Sequence, residues 1–160
     1  MDAAHDVTRA ASPAPFAQRR RDGYVLSDDR TRLDTELITR WLLEEAYWTA
    51  GRSVEDVRRS FEHSFLYGVL DAAGETVACA RVVTDEVTFA WICDVFVDAR
   101  RRGRGLGTWM VGEVVAHWRT EGVRRMMLGT RDAHEVYSRV GFEALAHPER
   151  MMQIDLRPQF

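Results

Sequence analysis

The sequence predicts an α/β fold of the α+β type: a mixed, mostly antiparallel sheet of about six to seven strands, flanked by about four helices. Three observations predict it. Apolar runs of strand length alternate with stretches in which apolar residues recur at helical spacing. Three consecutive β-type runs are joined by links too short for a crossover, which makes them an antiparallel meander. A later stretch, VFVDARRRGRGLGTWM over 95–110, passes from an apolar run through a basic, glycine-rich turn into an amphipathic helix.

The elements follow in chain order. Residues 1–22 are rich in Ala, Pro and Arg, lack the apolar middle of a signal peptide, and read as a flexible tail. Asp2, Asp6 and Asp22 argue against a transit peptide. Residues 23–160 read as one domain. A short strand is expected at 23–26. Asp34 is a good N-cap, and Leu33 and Ile38 occupy the positions of a hydrophobic staple. Leu37, Ile38, Trp41 and Leu42 then mark a helix over 34–45. Residues 46–52 break the period and carry Tyr47, Trp48 and Arg52. Ser53 caps a second helix, with Asp56 in an imperfect capping box and Val54, Val57 and Phe61 on its apolar face.

Strands follow at 64–70, Thr76–Thr84 and 87–97, with turns at 71–74 and 85–86. Leu106, Met110, Val114 and Trp118 fall every fourth residue, widened by Val111 and Val115, and predict a helix ending at Gly122. Residues 123–129 form a further strand. Asp132 and Glu135 suit a capping box for a short helix with Val136, Tyr137 and Val140, closed by Gly141. Strands at 142–145 and 151–156, separated by Pro148, end the chain.

Composition narrows the function. The 160 residues suffice for one core, and 46% apolar with 10% aromatic residues fits a soluble globular protein. A net charge of −3 calls for neither nucleic acid nor a membrane surface. No apolar run approaches the roughly 20 residues of a membrane span. All 22 basic residues are Arg, so no Lys is present to form a Schiff base or be acylated. Cys79 and Cys93 sit in apolar runs, without disulfide or zinc spacing. They read as small buried hydrophobes in a reducing, cytoplasmic setting, with a catalytic thiol as the alternative. No metal is expected.

The turn at 98–107 carries the chemistry. Glycines at 103, 105 and 107 let backbone approach a ligand, and a helix start beside them presents free N–H groups and its positive dipole end. That is an anion site, with Arg100, Arg101, Arg102 and Arg104 around it. The dinucleotide pattern G-x-G-x-x-G and the triphosphatase pattern Gly-Lys-Ser/Thr are both absent. Arg100 and Arg101 read equally well as a solvated run.

The run Arg102-Gly103-Arg104-Gly105-Leu106-Gly107 matches the signature Arg/Gln-x-x-Gly-x-Gly/Ala, and it follows the strand Val95-Phe96-Val97 at the usual distance. Downstream, residues 132–142 carry Tyr137 and end in Gly141-Phe142. Together these resemble the GNAT superfamily of acetyl-CoA-dependent N-acyltransferases over about 24–156, in its small, single-domain, bacterial form. The blocks at 47–53 and 94–97 are similar to bacterial and fungal members of mostly unassigned substrate.

The resemblance implies acetyl-CoA as co-substrate. Backbone N–H groups over 102–108, through Thr108, would hold its pyrophosphate. Main-chain groups of Val95, Phe96 and Val97 would take the pantetheine arm like an added strand, and the Val95 N–H would stabilise the oxyanion. Asp132 stands on the cofactor side, where many members have Asn or Ser; its N-cap role also explains it. Tyr137, otherwise a core aromatic beside Val136 and Val140, becomes the general acid for the leaving thiolate. The base stays open among Asp94, Glu86, His134 and water. Asp94 interrupts an apolar strand and either binds the acceptor's ammonium, relays its proton or caps a structural network. The loop with Tyr47, Trp48 and Arg52 would form one wall of the acceptor pocket, its aromatics packing on the acceptor and Arg52 pairing with an acceptor carboxylate; it reads equally well as an ordinary packed helix connection. The implied activity is acetyl transfer to a small primary amine in a ternary complex. The alternatives are a peptide or protein N-terminus, a non-catalytic acyl-CoA sensor, and a covalent acyl-enzyme on Cys79 or Cys93. A homodimer is a further implication of the resemblance.

Overall fold

The computed structural model describes residues 14–156. Residues 1–13, most of the expected tail, lie outside the described residues. The chain runs β1 (Ala17–Arg19), β2 (Val25–Ser27), α1 (Thr35–Glu44), α2 (Val54–Glu62), β3 (Phe65–Leu70), β4 (Thr76–Thr84), β5 (Phe89–Val97), α3 (Leu106–Thr120), β6 (Arg125–Met127) and α4 (His134–Ser138). One sheet takes the strands in sequence order, β1 through β6. Every neighbouring pair is antiparallel except β5 and β6, which are parallel. The sheet therefore begins inside the segment read as tail, since β1 pairs with β2.

The helices form two layers. Leu33, Ile38, Trp41, Leu42, Val57 and Phe61 pack with Cys79 and Phe96 on one face of the sheet. Leu106, Met110, Val114 and Trp118 pack with Ala80, Val82 and Ile92 on the other. Both faces of β4 are covered, which is why Thr76-Val-Ala-Cys-Ala reads as a near-continuous apolar run. No helix among the described residues is long and apolar enough to cross a membrane.

Local capping sets the helix boundaries. The Leu37 N–H donates to Asp34 Oδ1 at 2.8 Å, and Leu33 and Ile38 share one buried cluster, as the staple requires. The capping box at Ser53 is complete: the Asp56 N–H donates to Ser53 Oγ at 3.0 Å, and the Ser53 N–H donates to Asp56 Oδ2 at 3.1 Å. α3 ends in a Schellman pair, with Val123 N–H on Trp118 C=O and Gly122 N–H on Arg119 C=O.

Four expectations are corrected. β5 starts at Phe89 rather than at 87, because Asp85 Oδ1 accepts the backbone N–H groups of Val87 and Thr88 and so holds them in the turn. β6 is confined to Arg125–Met127. The strands expected at 142–145 and 151–156 are not formed; a short 3₁₀ turn at Pro148–Arg150 lies between those stretches, and Met152, Ile154 and Leu156 stay exposed. Alternation defines the faces of a strand, but only a ladder partner makes one. Asp132 does not cap α4. The N-cap is Ala133, whose N–H donates to Thr130 Oγ1 at 3.0 Å.

Gly68 shows how closely α1 approaches the sheet. A Cβ there would lie 2.4 Å from Leu33 Cδ2 and 3.2 Å from Leu33 Cγ. Leu33 is itself buried in the staple and has little room to move. Gly68→Ala is expected to cost about 1–3 kcal/mol through overpacking. Urea denaturation with an unchanged m-value is the check.

Candidate functional site

The site forms where the sheet splits. β5 pairs with β6 only from Phe89 to Trp91. From 92 to 97 the same edge has no strand partner among the described residues, while the other edge stays paired to β4. The result is a wedge, one wall of which is a β5 edge without a ladder partner.

A β-bulge lies within that wall. Cys79 pairs with Phe96 and Arg81 with Cys93, so two steps along β4 match three along β5. Asp94 takes up the extra residue at φ +49°, in the left-handed region. The bulge reverses the facing of β5: Ile92 packs in the α3 layer, whereas Phe96, four residues on, packs in the α1–α2 layer and stacks on Trp41 at 5.3 Å.

Asp94 is buried, and two guanidiniums hold it. Arg81 Nε meets Oδ2 at 2.7 Å, and Arg52 Nη1 lies 3.2 Å from Oδ1 and 3.3 Å from Oδ2. Both carboxylate oxygens are thereby engaged. Glu86 sits at φ +65° in the exposed hairpin turn at the other end of β5, and His134 is exposed at the start of α4. Arg81 escaped the sequence reading. Its signal was there: a charged side chain in the middle of a buried strand needs a buried partner.

Past β5 the chain makes a 3₁₀ turn, Ala99–Arg101, under Asp98. Arg100 pairs with Asp98 and Arg101 with Asp71, each at 2.7 Å, so these two cations already have partners in the protein. Arg102 folds back, donating from Nε to the Val97 carbonyl at 3.0 Å and lying over the Phe96 ring at 5.3 Å. The Arg104 carbonyl accepts from Arg20 at 2.8 Å, which ties the loop to the β1–β2 connection. Gly103 and Gly105 have φ of +76° and +70°. Gly105 is the N-cap of the 15-residue α3, and no side chain caps that helix. The first N–H groups, on Leu106, Gly107 and Thr108, thus start a long helix beside a loop without side-chain bulk at alternate positions.

The opposite wall joins two loops distant in sequence. Tyr47 opens a 3₁₀ turn, Tyr47–Thr49, and its hydroxyl donates to Asp132 Oδ1 at 3.4 Å. The Arg131 guanidinium lies 3.7 Å from the Tyr47 ring centroid. Trp48 packs edge-on to Tyr47 at 5.0 Å and extends the α1–α2 core layer. Tyr137 is half-buried on α4, and its phenol is raised above its ordinary value of 10.0 by burial first, then by Tyr47 and Asp132. A Schellman motif fixes its position: Phe142 N–H meets the Tyr137 carbonyl, Gly141 N–H meets the Ser138 carbonyl, and the Tyr137 and Phe142 rings pack edge-to-face at 6.1 Å.

The cysteines are poor nucleophiles. Cys79 is fully buried, and burial pushes its thiol far up; the thiol of Cys93 is pushed up to about 11, again chiefly by burial. An open groove of about 530 Å³ lies between α3, β6 and the end of α4; Gly141 and Phe142 line it, but Asp94, Tyr137 and the cysteines do not.

A profile of the acetyltransferase (GNAT) family matches residues 35–142, the stretch that contains the bulge, the glycine loop and Tyr137. The chain belongs to the GNAT acetyltransferase family. Among proteins of known structure, one from Xanthomonas campestris pv. campestris, named as a GNAT-family acetyltransferase by its relatedness, is 37% identical, with a TM-score of 0.77, over 83% of this chain and 93% of that one. FG08082 of Gibberella zeae, a protein named for acetyltransferase activity, is 26% identical over 74% of this chain and 78% of its own length. Glucosamine-6-phosphate N-acetyltransferase from Arabidopsis thaliana shares the GNAT fold at 18% identity and a TM-score of 0.53, over 92% of this chain and 99% of that one.

Proposed function

We propose that the protein transfers an acetyl group from acetyl-CoA to the amine of a small acceptor by direct attack. The observation that carries this reading is the open outer edge of β5, bulged at Asp94 and running into the uncapped start of α3. An extended pantetheine arm suits main-chain groups of Val95 and Phe96 and the Val97 N–H, as an added strand does, the Val97 carbonyl being held by Arg102. The N–H groups at the start of α3 suit a pyrophosphate. The loop works mainly through backbone, since Arg100, Arg101 and Arg102 are engaged within the protein.

In this reading the Val95 N–H polarises the thioester carbonyl and stabilises the oxyanion that forms when the amine nitrogen attacks. The carbon–sulfur bond then breaks, and Tyr137 gives its proton to the leaving sulfur. The proton lost by the amine returns to Tyr137 through water. A raised phenol remains protonated across neutral pH, as an acid must. Asp94, with both oxygens held by guanidinium groups, acts as the brace that fixes the bulge and so the Val95 N–H. The protein is cytoplasmic in this reading.

Coenzyme A release from acetyl-CoA across a panel of amines, with product masses read directly, tests the reaction. No release with any amine would overturn it. Gly105→Ala gives a second check. Its Cβ would meet nothing, but φ +70° disfavours any L side chain by about 1–2 kcal/mol. The variant is expected to lose about that much stability and to bind acetyl-CoA at least several-fold more weakly by calorimetry.

A further inference from the structure

The Asp94 cluster carries more positive charge than the fold requires. Arg81 and Asp94 are both buried, and their 2.7 Å contact already balances the carboxylate. Arg52 brings a second guanidinium to the same anion. Two cations then face one carboxylate, and one positive charge remains over.

Among the described residues, Arg52 makes an ion pair with no carboxylate but Asp94. The neighbouring Cys93 is a neutral thiol. Asp56 feels Arg52 electrostatically, but it is fully exposed and its carboxylate closes the Ser53 cap. Partial solvation of Arg52 holds the surplus, and an anion arriving there meets a cation that the buried pair does not need. Arg52 can receive one. Its side chain is 35% exposed, and only Nη1 is engaged among the described residues, which leaves Nε and Nη2 as donors.

The position of Arg52 makes the surplus relevant to the reaction. Asp94 directly precedes Val95, whose N–H would hold the thioester carbonyl. Arg52 closes the loop that begins with Tyr47 and Trp48, so it approaches the bulge from the acceptor wall.

We propose that Arg52 binds a carboxylate on the acceptor, which makes the acceptors amino acids rather than simple amines; this rests on the acetyl-transfer reading above. A carboxylate monoanion cancels the single surplus charge, whereas a phosphate dianion overshoots it. The planar guanidinium edge also matches two carboxylate oxygens. Replacement of Arg52 should leave a folded protein, because Arg81 still neutralises Asp94.

The test compares the standard L-amino acids with their α-carboxamides at equal free-base concentration. Coenzyme A release and product mass give kcat and KM, and thermal shift in the presence of coenzyme A gives binding. Wild type should use at least one amino acid over its amide tenfold or better in kcat/KM, through KM. Arg52→Gln should bring that ratio close to one, and Arg52→Lys should restore part of it. Amides used as well as the acids by wild type, or a tenfold ratio that survives in Arg52→Gln, would overturn the proposal. Release with amides or simple amines but not with amino acids sinks it while acetyl transfer stands. No release, with a Tm rise specific to an amino acid and lost in Arg52→Gln, sinks acetyl transfer and leaves the carboxylate site standing. Absence of both sinks both.

Discussion

Tyr137→Phe is expected to lower kcat by about 100-fold or more while leaving acetyl-CoA affinity unchanged. Loss of a positioned general acid typically has that size. The hydroxyl is the only group removed. The backbone bonds at Gly141 and Phe142 and the edge-to-face ring contact all remain. Stability should therefore stay within about 0.5 kcal/mol of wild type, as for substitutions that spare buried contacts. The pH profile adds an independent readout. Burial, Tyr47 and Asp132 all disfavour the phenolate and raise the folded-state value above 10.0. A raised value keeps the proton on, so the acid is fully present at neutral pH and is lost only as pH rises through that value. Wild type should show no decline assignable to Tyr137 below pH 10, and the variant should lack the alkaline limb. Steady-state turnover within twofold of wild type would remove Tyr137 from the chemistry.

Asp94→Ala should be the most damaging single substitution at the bulge. It leaves Arg81 buried without its carboxylate and Arg52 with no counter-ion. Breaking a buried ion pair from one side costs about 3–5 kcal/mol. Alanine is also strained at φ +49°, where Asp and Asn are better tolerated. Asp94→Asn should accordingly lose less, keeping the backbone shape and some hydrogen bonds but not the charge. Arg81→Met combined with Asp94→Ala should recover part of the loss, because it removes the stranded guanidinium. Chemical denaturation of the three variants decides the matter. Asp94→Ala within about 1 kcal/mol of wild type would show that the cluster does not brace the bulge.

Much of the fold was legible because its causes are local. Asp34, Ser53, Gly122 and Gly141 end or begin helices through hydrogen bonds that reach only a few residues. The stripe of α3 follows from helical geometry alone. The glycine loop was legible for the same reason, since left-handed backbone at 103 and 105 selects glycine directly. Asp132 shows the limit of local reasoning. Its sequence position suited a cap, yet Thr130 takes the Ala133 N–H, and Tyr47 from 85 residues away takes the Asp132 carboxylate.

By itself, then, the sequence determined the helix ends, the apolar faces, the glycine turn before α3 and the family motif they compose. Only the tertiary structure decided the wedge between β5 and β6, the two guanidiniums on Asp94, and the failure of 151–156 to become a strand. The reason is range. Period and capping are properties of consecutive residues. A strand's partner, a bulge's register and the net charge of a buried cluster depend on which distant segments pack together.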